Sequence, residues 1–260
     1  MAESGKWRLD DDAAAYFEAH FVPAIFADWA SILVEAARVA PGQRVLDVGC
    51  GTGIVARVAA DRLKGSGSVT GVDLNSSMIN VARRLRPEID WREGDAASLP
   101  FADGAFDVVV SQAALMFFPD RVAALREMRR VLRSGGLIAV QVFGASAGYE
   151  LTAAILEQVA GKEEAEIFRA PFILRDPNAV TALFADAGLE AAQVTTYERP
   201  ARYGSIEAFL RTEIDGWVLR GRVDFDAMLA PTREGLRSFC SPSGAVNIPM
   251  EGHIIWSLAH

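Results

Sequence analysis

Through residue 144 the chain alternates between two hydrophobic periods, short apolar runs and longer stretches with apolar residues every three or four positions. Residues 12–40 carry the helical period, interrupted at Pro23 and closed by Pro41-Gly42. A short apolar run, 44–48, ends in the glycine-rich turn Gly49-Cys-Gly-Thr-Gly53. A helix follows, with Ile54, Val55, Val58, Ala59 and Leu63 on one side and Arg57, Asp61 and Arg62 outside. Strands at 68–72, 89–92 and 105–111 come next, with a helix from Met78 to Leu85 after the first. The 105–111 run is nearly all apolar, as a strand covered on both faces should be. A helix over 120–133 turns Val122, Leu125, Met128 and Leu132 inward, stops at Gly135-Gly136, and leads into a strand at 137–140. This rhythm predicts an α/β fold with a doubly wound, largely parallel sheet.

Beyond Phe143 the rhythm changes to a Glu-rich helix at 148–170, a helix at 177–187 and a strand at 190–199. Residues 206–236 are mainly helical, and 245–258 read as a last strand or hairpin with Pro249 near a bend. We read residues 1–260 as a single domain, with N-terminal helices over 1–40 and a ligand-binding core over 41–144. Segments 145–175 and 203–245 are read as cap insertions over the carboxyl ends of the strands, where such sheets bind ligands, and the remainder completes the sheet.

Charge narrows the partners. The chain carries 26 basic and 34 acidic side chains, a formal charge of −8. Residues 1–144 hold 16 basic and 18 acidic groups, whereas 145–260 hold 10 and 16. Polyanions are gripped by clustered Lys and Arg, so neither nucleic acid nor an anionic membrane is expected as a partner. The arginines at 126, 129, 130 and 133 fall mostly on the polar face of their helix. Two cysteines and three scattered histidines spell neither a disulfide framework nor a metal site. With a polar, acidic start and no long uncharged apolar run, the expectation is a cytoplasmic protein.

The glycine turn brings in the chemistry. Gly49, Gly51 and Gly53 space as GxGxG, so the dinucleotide fingerprint GxGxxG is not met and a nicotinamide dehydrogenase is disfavoured. Asp47 beside the turn repels a pyrophosphate and attracts a cation or hydrogen-bond donors. Asp73 ends the second strand and can accept both hydroxyls of a ribose. Asp95, after the third strand, can receive an exocyclic adenine amine. A ligand with a positive centre, a ribose and an adenine satisfies all three, and S-adenosylmethionine is such a molecule.

The segments VLDVGCGTG, VTGVDLNSSMINVAR, GDAASLPF, FDVVVSQAALMFFPD and EMRRVLRSGGLIAV, in this order over about 40–144, resemble the successive motifs of class I S-adenosylmethionine-dependent methyltransferases. The branch they resemble is that of the ubiquinone/menaquinone-biosynthesis-type enzymes. The resemblance implies a seven-stranded Rossmann-like sheet, six strands parallel and the last antiparallel. It implies that Asp47 and the backbone of Gly49, Cys50, Gly51 and Gly53 hold the methionine part of the cofactor, whose product is S-adenosylhomocysteine. It places Asp73 on the ribose, Leu74 and Met78 by the adenine, Asp95 and Ala96 at the adenine edge, and Ser111 and Gln112 along the sulfonium. Tyr16 and Phe17 occupy the place of an amino-terminal helix that closes over the cofactor.

Phe117 and Phe118 face the expected acceptor pocket, and Trp7, Trp29, Phe209 and Trp217 are further aromatic candidates for it. His253 is the leading base on pKa grounds, although a solvent-facing histidine is the simpler reading, and His260 is the terminus. The expected activity is methyl transfer to an O, N or C atom of a small, largely apolar metabolite. The alternative is a non-catalytic sensor or assembly protein that binds S-adenosylmethionine or S-adenosylhomocysteine. Oligomeric state and acceptor identity are not legible at this level.

Overall fold

The computed structural model describes residues 9–215 and 219–259, so Trp7, Trp217 and His260 lie outside the described residues. Among the described residues one sheet contains β1 (Arg44–Val48), β2 (Ser68–Asp73), β3 (Asp90–Glu93), β4 (Phe106–Gln112), β5 (Leu132–Phe143), β6 (Gln193–Tyr203) and β7 (Val246–Leu258). Their order is β3-β2-β1-β4-β5-β7-β6. The pairs from β3 to β5 are parallel, and β7 runs antiparallel to both β5 and β6. The fold is therefore the doubly wound, seven-stranded sheet with a reversed last strand.

The helices are α1 (Asp11–Tyr16), α2 (Ala27–Ala36), α3 (Ile54–Leu63), α4 (Ser76–Leu85), α5 (Arg121–Val131), α6 (Ala147–Val159), α7 (Lys162–Arg169), α8 (Pro177–Asp186), α9 (Ile206–Leu210) and α10 (Phe225–Gly235). Several begin on side chains chosen for the purpose. Asn75 accepts the amides of Ser77 and Met78, Asp120 that of Ala123, and Asp176 that of Asn178 with Pro177 next in line.

Period-two alternation along the strands divides the core. Leu46, Val48, Val109, Ile138 and Val140 face one side of the sheet, while Val45, Val108, Val110, Leu137 and Ala139 face the other.

The structure departs from the sequence expectation at four places. Pro23 does not interrupt its helix; Asp11–Ala36 is continuous, with Phe17–Phe26 in π-helical geometry. Proline has no N–H to give and crowds the preceding turn, and a wider turn accommodates both. This helix is long and apolar enough to cross a bilayer, and in the fold its Phe21, Trp29, Leu33 and Val34 are buried. Helix 148–170 divides at Gly161, whose φ of 109° lies outside the helical region. Helix α5 ends before the Gly135-Gly136 pair, which sits inside β5 where the register with β4 slips after the Phe106–Leu132 pair. The last segment is one strand: Pro249 pairs with Pro200 of β6, beyond the stretch of β7 that β5 bonds, so neither proline removes a donor from a central ladder.

The arginine helix is tied down rather than open. Arg130 engages Glu127, Asp103 and the carbonyls of Leu99 and Phe101, and Arg133 pairs with Asp107.

Trp29 packs edge-on against Phe143 of β5, with ring centroids 6.4 Å apart. A Cβ at Gly252 of β7 would enter the Trp29 ring. Gly252→Ala is therefore expected to destabilise the protein by about 1–3 kcal/mol in urea unfolding, the range for overpacking a filled core. An unchanged midpoint would show that Trp29 yields freely.

Candidate functional site

The carboxyl ends of β1, β2 and β4 open into a cleft of about 250 Å³. On the β1 side the chain turns through Gly49, Gly51 and Gly53, with φ of 69°, 54° and 88°, the left-handed region that glycine enters without strain. The three glycines do different work. At Gly49 a Cβ would meet Ala114 Cβ at 2.5 Å, and at Gly53 it would strike the Trp91 ring. At Gly51 nothing lies within 4 Å, so the bare backbone there faces open space.

The turn is fastened to β2. Gly49 and Cys50 donate to the Val72 carbonyl at 2.8 and 3.0 Å, and Gly51 donates to Asp73 Oδ2 at 2.8 Å. The Gly53 amide donates to the Cys50 carbonyl at 2.8 Å. These four amides are thus engaged within the protein, and the carbonyls of Cys50, Gly51 and Gly53 also accept hydrogen bonds within it.

Asp47 is buried at the end of β1. Its Oδ2 accepts the Ala56 amide at 3.0 Å, while Oδ1 has no partner. Burial lifts its pKa from 3.8 to about 7, the Ala56 amide pulls it back, and the Asp73 charge adds to the rise. Asp73 Oδ1 accepts the Asn75 amide at 2.8 Å, and burial raises its pKa too against these backbone donors. Asp95 is exposed and accepts the Ala97 amide at 2.9 Å.

Asp47, Gly49, Cys50, Gly51, Asp73, Leu74, Met78, Asp95, Ala96, Gln112, Phe117 and Phe118 all line this one cleft. Gly53 and Ser111 do not; Gly53 caps α3 against Trp91, and Ser111 is fully buried with its hydroxyl unpartnered. Gln112 donates to the Phe26 carbonyl at 3.0 Å, and its Oε1 is left without a partner.

Tyr16 does not reach the cleft. Phe17, Phe21 and Ile25, four residues apart, share the inward face of their helix, while Tyr16 lies one position off it and packs at a tilt against His20, ring centroids 4.0 Å apart. His253 also lies elsewhere. It is buried in β7, its Nδ1 at 2.8 Å from Thr196 Oγ1 and its Nε2 at 3.0 Å from the Arg175 carbonyl. Both ring nitrogens are occupied, so it is neither the solvent-facing histidine of the simpler reading nor a base at the cleft. Trp29 and Phe209 are core residues outside the lining.

The far wall came from residues that the motifs do not mark: Phe143, Tyr149, Phe168, Phe172 and Glu213. Only the aromatic content of 148–172 hinted at it. Among the described residues the lining holds four carboxylates, Asp47, Asp73, Asp95 and Glu213, and no Lys, Arg or His. A surface so composed favours a ligand with a positive centre and repels phosphate.

The raised pKa of Asp47 has a thermodynamic consequence. A carboxyl that holds its proton more tightly folded than unfolded stabilises the fold at low pH, and that contribution fades as pH rises from about 4 to about 7. Asp47→Asn removes the effect. Compared with this variant, the ligand-free parent should lose on the order of a few kcal/mol across that window in urea titrations. Parallel stability curves for the two proteins would contradict the assignment.

Residues 46–140 match the family described as a methyltransferase domain. The chain is 41% identical over 115 residues to demethylmenaquinone methyltransferase of Renibacterium salmoninarum, covering 44% of this chain and 47% of that protein. It is 40% identical over 121 residues to the ubiquinone/menaquinone biosynthesis C-methyltransferase UbiE of Stenotrophomonas maltophilia, covering 44% and 48%. The chain thus spans about half the length of the curated relatives it matches. At the level of fold it is similar to a putative methyltransferase from an antibiotic biosynthesis pathway of Anabaena variabilis, with TM-score 0.65, 16% identity and coverage of 88% and 96%. The YcgJ protein of Bacillus subtilis gives TM-score 0.58 at 22% identity, with coverage of 89% and 97%. The methyltransferase-domain match thus falls on the 46–140 core, set in a sheet whose fold is that of these methyltransferase structures.

Proposed function

We propose that the protein is an S-adenosylmethionine-dependent methyltransferase whose acceptor is a small, largely apolar molecule of the quinol class. The observation that carries this reading is the row of carboxylates, Asp47, Asp73 and Asp95, at the ends of β1, β2 and β3 in one cleft without a basic residue among the described ones. The unpartnered Oδ1 of Asp47 and the open face of Gly51 suit the charged amino group and the body of the methionine moiety. Asp73 suits the ribose hydroxyls, since each carboxylate oxygen retains a lone pair after the amides it already accepts. Asp95 and Ala96 suit the adenine edge, with Leu74 and Met78 beside it.

When bound, the donor supplies a methyl group already activated on a sulfonium. The protein's part is positioning and exclusion of water, and good alignment alone is worth on the order of 7–11 kcal/mol. Gln112, tethered to the Phe26 carbonyl and with its Oε1 unpartnered, lines the cleft and suits the boundary between donor and acceptor. Phe17, Phe21, Phe117 and Phe118 offer an apolar wall that also favours a cation through their ring faces. The segments 145–175 and 203–245 act as the cap, supplying Tyr149, Phe168, Phe172 and Glu213 to the acceptor side. The two curated relatives named above methylate quinone precursors by name, which supports a quinol-class acceptor.

Asp73→Ala should weaken S-adenosylhomocysteine binding by roughly 1.5–3 kcal/mol in calorimetry, the range for hydrogen bonds to a charged group. Unchanged affinity in a folded variant would remove Asp73 from the site. Turnover is read as release of S-adenosylhomocysteine with a panel of reduced naphthoquinols and benzoquinols. Tight binding with no release across the panel would favour the non-catalytic alternative.

A further inference from the structure

Glu213, Tyr149 and Tyr203 form a closed cluster at the end of the cleft remote from the glycine turn. Tyr149 OH lies 2.7 Å from Glu213 Oε1, Tyr203 OH 2.6 Å from the same oxygen, and the two hydroxyls are 2.8 Å apart. The three residues come from α6, β6 and the turn after α9, distant in sequence and each buried. Tyr149 and Glu213 line the cleft; Tyr203 stands behind them, and Phe209 packs edge-on against both rings.

Two features distinguish this cluster from a buried polar knot. Both phenols crowd Oε1, and no described group bonds Oε2 of a residue that lines the cavity. The triangle also has three oxygen–oxygen contacts but only two hydroxyl hydrogens while the carboxylate is ionised. With both phenols on Oε1, the lone pairs of Oε2 are the place for one more proton.

Aromatic contacts lead from the methyl-transfer end to this cluster. Gln112 holds the Phe26 carbonyl, Phe26 packs on Phe143 at 6.0 Å, Phe143 on Phe172 at 5.7 Å, and Phe172 on Tyr149 at 5.2 Å.

We propose that Glu213 is the proton acceptor for a hydroxyl of the aromatic acceptor, and that Tyr149 and Tyr203 are the positioning residues that hold it. This rests on the methyltransferase reading above. The acceptor's O–H bond breaks, its proton passes to Glu213 Oε2, and the electron pair stays on the acceptor, delocalised between oxygen and the conjugated ring. That pair forms the new bond to the methyl carbon as the carbon–sulfur bond breaks with its electrons on sulfur. Glu213 then returns its proton to water on product release. The ionisable groups facing Glu213 are Tyr149 and Tyr203 among the described residues; burial lifts Glu213 to about 7, and the two phenols restrain that rise.

The test uses the whole chain loaded with S-adenosylhomocysteine and 1,4-dihydroxynaphthalene, kept reduced, as the probe. Glu213→Gln should leave S-adenosylhomocysteine affinity intact, weaken the probe at least about tenfold and abolish the proton release linked to its binding near pH 7, seen by calorimetry in two buffers. With S-adenosylmethionine, kcat should fall by about 10²-fold or more, as for loss of a general base. In the parent, activity should rise with pH through about 7, and Tyr203→Phe, lacking one donor to the carboxylate, should move that limb upward. Equal probe binding and an equal pH profile in Glu213→Gln would overturn the proposal. A parent that binds S-adenosylhomocysteine but not the probe would overturn the acceptor class it names. Failure to bind S-adenosylhomocysteine at all would instead overturn the methyltransferase reading.

Discussion

Asp47 sits at the carboxyl end of β1 with one oxygen on the Ala56 amide and the other facing the cleft alone. A buried carboxylate without a cation beside it costs several kcal/mol unless its environment compensates or it keeps its proton. The fold arranges the compensation it can. The amino end of α3 points an amide at Asp47, and the glycine turn wraps so that Gly51 bonds the second carboxylate, Asp73. What remains uncompensated belongs to a residue that lines the cavity, where the proposed cationic ligand would supply it. Stability and binding therefore draw on the same residue with opposite signs, as happens where a site is kept polar for its ligand.

The sheet topology explains why the carboxylates converge. Parallel strands β1, β2 and β3 present their carboxyl ends on one edge, so the residues at or just after each strand end become neighbours although 26 positions separate Asp47 from Asp73 and 22 separate Asp73 from Asp95. The reversed strand β7 then brings Met250 to the same edge, the helices that follow β5 roof the cleft with aromatic rings, and the segment after β6 adds Glu213. One side of the cavity is thus acidic and built of loops on a rigid sheet. The other is aromatic and built of helices, with a single carboxylate held by two phenols.

Most of the core could be read in advance because its signals are local. The GxGxG turn between a strand and a helix, the carboxylates at strand ends and the period-two runs each act within a few residues. The misplacements have equally physical causes. Tyr16 and Phe17 differ by 100° around a helix, a distinction that a pair of adjacent aromatics does not reveal. His253 looked titratable because histidine is, yet Thr196 across the ladder and the Arg175 carbonyl take both its nitrogens. Pro23 looked like a break because an isolated α-helix cannot accept it, whereas a widened turn packed against the sheet can.

By itself, then, the sequence determined the parallel α/β sheet, the glycine turn and the three carboxylates that line one cleft, since these follow from short-range periodicity and backbone chemistry. Only the tertiary structure decided that Tyr149, Tyr203 and Glu213 meet, that Phe17 rather than Tyr16 faces the cleft, and that His253 is spent in the core. Those outcomes depend on which faces of distant elements are pressed together, and burial sets both the proton affinity and the free partners of each group only once that packing exists.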